Sequence, residues 1–148
     1  MNRRRRKKLQ QRLTEAAGWA EVSRLVGLLR AHADPNLPGP GGSTPLYRAS
    51  VQNRANNIRA LAAAGADPNV ESGTGEEGLP LCAAACWGHL DAVRELLAAG
   101  ADPSLREDNG HGRTPAEWAE AGGHHHALEL LTANGKRAAD QNRAPSAS

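Results

Sequence analysis

LPLCAAACWGHLDAVRELLAAGADPS, residues 79–104, reads as two short helices and a stop. Pro80 suits a first helical turn, where an amide hydrogen would have no partner in any case. Residues 81–87 form a small-residue run of high helix propensity, which Gly88 and His89 interrupt. Leu90, Val93 and Leu97 then recur at i, i+3 and i+7 with Leu96 beside them, placing one apolar stripe on a second helix. Gly100 predicts a left-handed stop, and Asp102-Pro103 turns the chain away. Helices this short cannot bury their apolar faces alone. The pair demands a neighbour of its own kind.

The chain supplies such neighbours. Asp-Pro recurs at 34, 67 and 102, and Pro45, Pro80 and Pro115 are each 35 residues apart. Ala16-Ala17, Ala49-Ser50 and Ala84-Ala85 each lie 17 residues before an Asp-Pro, and a fourth unit runs from Thr114-Pro115 to Gly135. A period in the mid-thirties predicts an all-α repeat solenoid of four stacked helix–turn–helix units, the terminal ones acting as caps.

On these residues the chain resembles the ankyrin repeat family. Thr44-Pro45-Leu46-Tyr47 is similar to that family's Thr-Pro-Leu-His opening, and Gly88-His89-Leu90 to its mid-repeat Gly-His-Leu. Residues 96–103, LLAAGADP, are close to its second-helix ending. The resemblance spans roughly residues 9–135. It implies β-hairpin fingers joining the units, a slightly curved array, and binding of a partner protein through the fingers and the concave face.

The expected organisation is a basic arm at residues 1–8, a repeat domain at 9–136 with units near 9–36, 41–69, 76–104 and 111–135, and a disordered tail at 137–148. Unit one lacks the Thr-Pro opening and carries His32 where the next two have Gly65 and Gly100, as a cap would. Thr44 is placed to cap unit two, whereas Arg54, Asn56 and Asn57 weaken the case for that unit's second helix. Leu79 stands where a capping Thr is expected, so the first helix of unit three begins without that hydrogen bond. From Asp67 to Leu79 and from Asp102 to Thr114 is 12 positions, against 10 from Asp34 to Thr44, so two fingers are longer than the first.

At 148 residues, with no Phe and 3% aromatics, the chain suits thin Ala and Leu layers better than one large core. Cys82 and Cys86, one helical turn apart, are poorly placed for a disulfide, which points to a reducing compartment. No run of 18 or more apolar residues is present to span a membrane, and the basic start is followed by no apolar segment of a secretory signal. The expectation is a cytoplasmic monomer that needs no cofactor. The net charge of +2 conceals an asymmetry: residues 3–8 (Arg3 through Lys8) hold six of the 18 Lys and Arg, which leaves 12 against 16 acidic residues, or −4, on the rest. Such an arm offers contact with nucleic acid as an alternative role, although no aromatic residue interleaves it.

Candidate site residues follow from register. The two positions after each small-residue pair end the first helix, and in arrays of the resembled family they line the concave side. Here they include Trp19, Gln52, Cys86 and Trp87; Trp is the residue most enriched in interface hot spots. Arg106, Glu107, Asp108, His111 and Arg113 put both signs of charge on the third finger, and all of them but Glu107 join the candidates. These eight form the expected partner-binding surface. Trp118, inside the first helix of unit four where units two and three have Arg48 and Ala83, occupies a slot that faces between helices and is expected in the core. A metal reading is the remaining alternative, since Cys82, Cys86 and His89 share a helical face and His124, His125 and His126 adjoin. Cys82 occupies the slot of Tyr47, however, and His89 and His124 the Gly-His step, so the repeat accounts for them. No nucleophile elbow, phosphate-cradling loop or His-Glu-x-x-His motif supports catalysis.

Overall fold

The computed structural model of the protein describes the backbone of residues 1–141 and the side chains of residues 1–133. Among these residues the order is α1 (Arg3–Trp19), α2 (Val22–Arg30), α3 (Pro45–Val51), α4 (Ala55–Ala63), α5 (Pro80–Trp87), α6 (Leu90–Ala98), the single turn α7 (Glu107–Gly110), α8 (Pro115–Ala121) and α9 (His125–Gln141), with no strand. Helices pair as α1–α2, α3–α4, α5–α6 and α8–α9. The first members α1, α3, α5 and α8 pack in one layer, and α2, α4, α6 and α9 in a second. None of these helices is long and apolar enough to cross a membrane.

The core lies between and within these layers, and its residues are those of the apolar stripes. Leu13, Leu25, Ile58, Leu61, Leu81, Val93, Leu96 and Leu131 are fully buried, with Ala17, Ala49, Ala84, Ala85 and Ala119 closing the gaps where helices approach most nearly. Small residues at these points let backbones come together, which is why few aromatics suffice.

Capping follows the sequence. Asn2 Oδ1 accepts from the Arg5 amide at 2.9 Å, and Thr44 Oγ1 accepts from the Tyr47 amide at 3.3 Å. Thr114 and Glu117 form a reciprocal box: Thr114 Oγ1 accepts from the Glu117 amide at 3.2 Å and Glu117 Oε2 from the Thr114 amide at 3.1 Å. Leu79 gives α5 no side-chain cap. The second helices α2, α4 and α6 end in left-handed residues, His32 at φ 70°, Gly65 at 96° and Gly100 at 93°.

Three features differ from the sequence reading. The fingers are turns with a closed neck, not β-hairpins: one backbone bond joins Gly39 to Ser43 (2.9 Å), Ser72 to Gly78 (2.9 Å) and Glu107 to Arg113 (3.2 Å). Their glycine-rich tips have low strand propensity and leave no run long enough to pair. The basic residues 3–8 are not a separate arm but the first two turns of α1. At the other end α9 continues to Gln141, so helix occupies residues 137–141, where disorder is expected; Ala138-Ala139 favour its propagation. Residues 142–148 of that expected tail lie outside the described residues.

Candidate functional site

The ends of the first helices are held by the unit that follows. Units two, three and four turn from first to second helix through a left-handed residue, Asn53 (φ 53°), Gly88 (68°) and Gly123 (71°), and the next side chain reaches back one unit. Arg54 donates from Nε to the Gly18 carbonyl at 3.1 Å and from Nη2 to the Trp19 carbonyl at 2.9 Å. His89 Nε2 meets the Val51 carbonyl at 3.0 Å, and His124 Nε2 the Cys86 carbonyl at 3.0 Å. A carbonyl only accepts, so each ring carries its proton on Nε2. Buried Asn57 adds bonds of 3.0 Å to the carbonyls of both Ala17 and Ala20. Thus Arg54 and Asn57, which weaken the sequence case for α4, are the residues that clamp it to α1.

This clamp fixes a row of side chains along the layer of first helices. Trp19 is the last residue of α1, Gln52 the C-cap of α3, and Cys86 and Trp87 the last two of α5. A Cβ on Gly18 would lie 3.6 Å from Gln52 Cγ, so Gln52 lies against the end of α1. Trp19 and Trp87 are 64% and 63% exposed, unusually open for the largest apolar side chain. Gln52 is exposed and Cys86 half-buried. Trp19 borders a shallow groove of about 220 Å³ with Arg12, Glu15 and Arg24.

The third finger is held differently. Arg106 is engaged within the chain, with Nη1 and Nη2 on the two Glu117 carboxylate oxygens at 3.1 and 2.9 Å and Nη1 on the Gly112 carbonyl. The Arg113 guanidinium lies 4.8 Å from the centre of the Trp118 ring. Asp108 and His111 are exposed, and Asp108 and Asn109 both adopt left-handed backbone (φ 51° and 53°), which their short polar side chains tolerate. Between fingers two and three runs a groove of about 640 Å³ lined by Val70, Glu71, Leu79, Leu105, Arg106 and Asn109 among others.

Glu107 is the residue that reading by charge alone overlooks. Its carboxylate turns inward, where Oε1 accepts from the Leu79 amide at 3.2 Å and Oε2 from Trp118 Nε1 at 2.8 Å. It thereby ties finger three to the uncapped start of α5, and half-buries Trp118 rather than leaving it in the core. A side chain at Gly78 would strike this carboxylate. In the preceding unit Ser72 has the equivalent role, accepting from the Thr44 amide at 2.8 Å. Burial pushes the Glu107 carboxyl above its ordinary value against the opposing pull of the Trp118, Leu79 and Cys82 bonds. Burial, with the Glu107 charge behind it, also drives the Cys82 thiol up, away from a metal-binding thiolate. Among the described residues no group of three or more His, Cys, Asp and Glu is placed to hold a metal.

A second set of unanticipated residues staples the Asp-Pro loops. Asn36 donates to the Gly65 carbonyl (2.9 Å) and accepts from the Asp67 amide (2.7 Å); Asn69 does the same to Gly100 (3.2 Å) and Asp102 (2.8 Å). Gln10 performs this service for Asp34, closing the N-terminal end. The signal was present in the sequence as Asn two residues after two of the three Asp-Pro aspartates, with Ser104 in the last.

Residues 81–132 match the sequence model of a family described as ankyrin repeats (many copies), which covers α5, α6, α8 and the first half of α9. No curated protein matches the chain.

Proposed function

The chain is an ankyrin-repeat protein, and from that premise we propose that four ankyrin-type units form a non-catalytic module binding a partner protein through the row Trp19, Gln52, Cys86 and Trp87 and the third finger. Ankyrin repeats in general mediate protein–protein interaction. The observation that carries the finer reading is the exposure of two Trp side chains at equivalent places in units one and three, each at the end of a first helix whose carbonyls are clamped from behind. Large rigid aromatics on a fixed backbone lose little conformational freedom on binding. On the third finger Asp108 and His111 supply free polar groups, while Arg106 and Arg113 hold the finger in shape and offer partly exposed guanidinium edges.

The test is co-purification from the native cell. Wild-type chain retains a defined protein, and Trp19→Ala combined with Trp87→Ala loses it while melting at the same temperature. A partner set unchanged in the folded double variant would remove the row from the binding surface.

A further inference from the structure

Charge along the stack is divided by position. Residues 1–54 hold eleven Lys and Arg against three Asp and Glu, a formal +8; residues 55–148 hold seven against thirteen, a formal −6. The positive end is solvent-exposed: residues 1–8 are all exposed, and the first turn of α1 contains no acidic residue. Six consecutive cations at a helix N-terminus repel one another and oppose the helix dipole, so this end is stabilised by an anionic counter-surface. At the opposite end Glu71, Glu76 and Asp108 lie on fingers two and three.

The exposed aromatics are placed in the same sense. By register Trp19 and Trp87 stand one unit to either side of Gln52, one in each charged half. Neighbouring helices of a layer lie roughly 10 Å apart, which puts the two rings about 20 Å apart along the row. About Gln52 the chain is therefore symmetric in its two exposed Trp rings and opposite in net charge to either side. A surface with both properties is complementary to itself after a half-turn.

We infer that the partner fitting this face is a second copy of the chain, stacked in the opposite order about a two-fold axis that runs along the helices beside Gln52. Trp19 of each copy meets Trp87 of the other, giving two such pairs. The axis preserves helix direction, so the finger ends stay on one side. There the first turns of α1, which extend past finger one from the level where Gln10 bonds the Leu37 carbonyl, lie over the acidic fingers of the other copy. Stacking in the same order would set like charges against each other, and end-to-end stacking would leave both Trp rings in water. This inference rests on the reading of the row as a binding face, and it identifies the first protein that face binds. A monomer, the expectation from sequence alone, leaves two exposed Trp rings and a divided charge without a counterpart.

Light scattering or sedimentation of the full chain at about 100 µM and about 0.05 M salt should give a dimer mass, and association should weaken at least about tenfold at about 1 M salt, where the screening length falls to about 3 Å. Trp19→Ala and Trp87→Ala should each weaken it by about tenfold or more, because either change breaks both Trp pairs. An equimolar mixture of the two variants should recover association, since the mixed dimer keeps one intact Trp19–Trp87 pair. A monomer at low salt, a mass that climbs past the dimer with concentration, or a mixture no better than its components would each overturn the proposal. If the chain is monomeric yet the double Trp variant still loses a co-purifying protein, the row binds a different protein and only the homodimer falls. A dimer indifferent to both Trp changes, with an unchanged partner set in the double variant, sinks both readings.

Discussion

A single left-handed residue ends each of α2, α4 and α6, and its side chain decides how much that ending costs. His32 accepts φ 70° in the first unit, while Gly65 and Gly100 adopt 96° and 93° without a Cβ to resist. A Cβ built on Gly100 meets no atom within 4 Å, so any penalty there is backbone strain and not collision. Gly100→Val should accordingly lower stability by about 1–2 kcal/mol, the cost of placing a β-branched L-residue in left-handed backbone. The denaturant midpoint measures it. An unaltered midpoint would mean that the stop relaxes to another conformation at no cost. Gly88 differs, because a Cβ there would strike the His124 ring at 2.5 Å besides straining the φ of 68° that sets where His89 reaches the Val51 carbonyl.

At the scale of the element, finger three shows how one half-buried carboxylate ties a finger to the start of a helix that has no side-chain cap. Leu79 supplies no side-chain oxygen to α5, and Glu107 arrives from 28 residues later to accept the Leu79 amide and the Trp118 indole together. Glu107→Gln presents an amide nitrogen to one of those two donors, which should cost about 1–3 kcal/mol at neutral pH. The pH dependence has a definite sign. Burial raises the Glu107 carboxyl in the folded chain, so the folded state holds that proton more tightly than the unfolded one. The proton-linked share of its contribution is present below the ordinary carboxyl value and is lost as pH rises through the raised folded value, leaving the two hydrogen bonds at neutral pH. Glu117 acts oppositely: the Arg106 hydrogen bond and the Thr114 amide lower it, so its contribution is lost as pH falls. Subtracting the midpoint-versus-pH curve of Glu107→Gln from that of wild type should isolate a stability that declines with rising pH; a difference independent of pH would show that Glu107 keeps its ordinary value. The finger's charges were legible in the sequence, but the inward turn of Glu107 among Arg106, Asp108 and Arg113 was not. Nothing in residue type distinguishes the one carboxylate that finds two donors from a neighbour that finds water.

Across the whole molecule, stability is a sum over neighbours, because each unit touches only the next. The asparagine staples belong to that coupling, and Asn69 makes two of its bonds at once, to Gly100 and Asp102. Asn69→Ala should lower stability by about 1–2 kcal/mol, and should also broaden the unfolding transition as units two and three begin to melt apart. Equal cooperativity in wild type and variant, followed by the denaturant slope, would show that helix packing alone couples the units.

The division between sequence and structure follows from the range of the forces involved. Sequence alone determined the helix pairs, the left-handed stops, the cap at Thr44, the absence of a cap at Leu79 and the register that aligns Trp19 with Trp87. All of these depend on residues within a few positions of one another, and repetition at a fixed period multiplied the signal. It also accounted for His89 and His124 as members of the repeat, and the carbonyls they meet give the reason. Tertiary structure alone decided which long-range polar groups meet: Arg54 and Asn57 on α1, Glu107 on Leu79 and Trp118, Asn69 on the next loop. It decided as well that both Trp rings of the row stand in solvent while Trp118 is drawn to a carboxylate. A side chain's periodicity fixes the face it occupies, but its exposure depends on what another unit, some 35 residues away, brings against it.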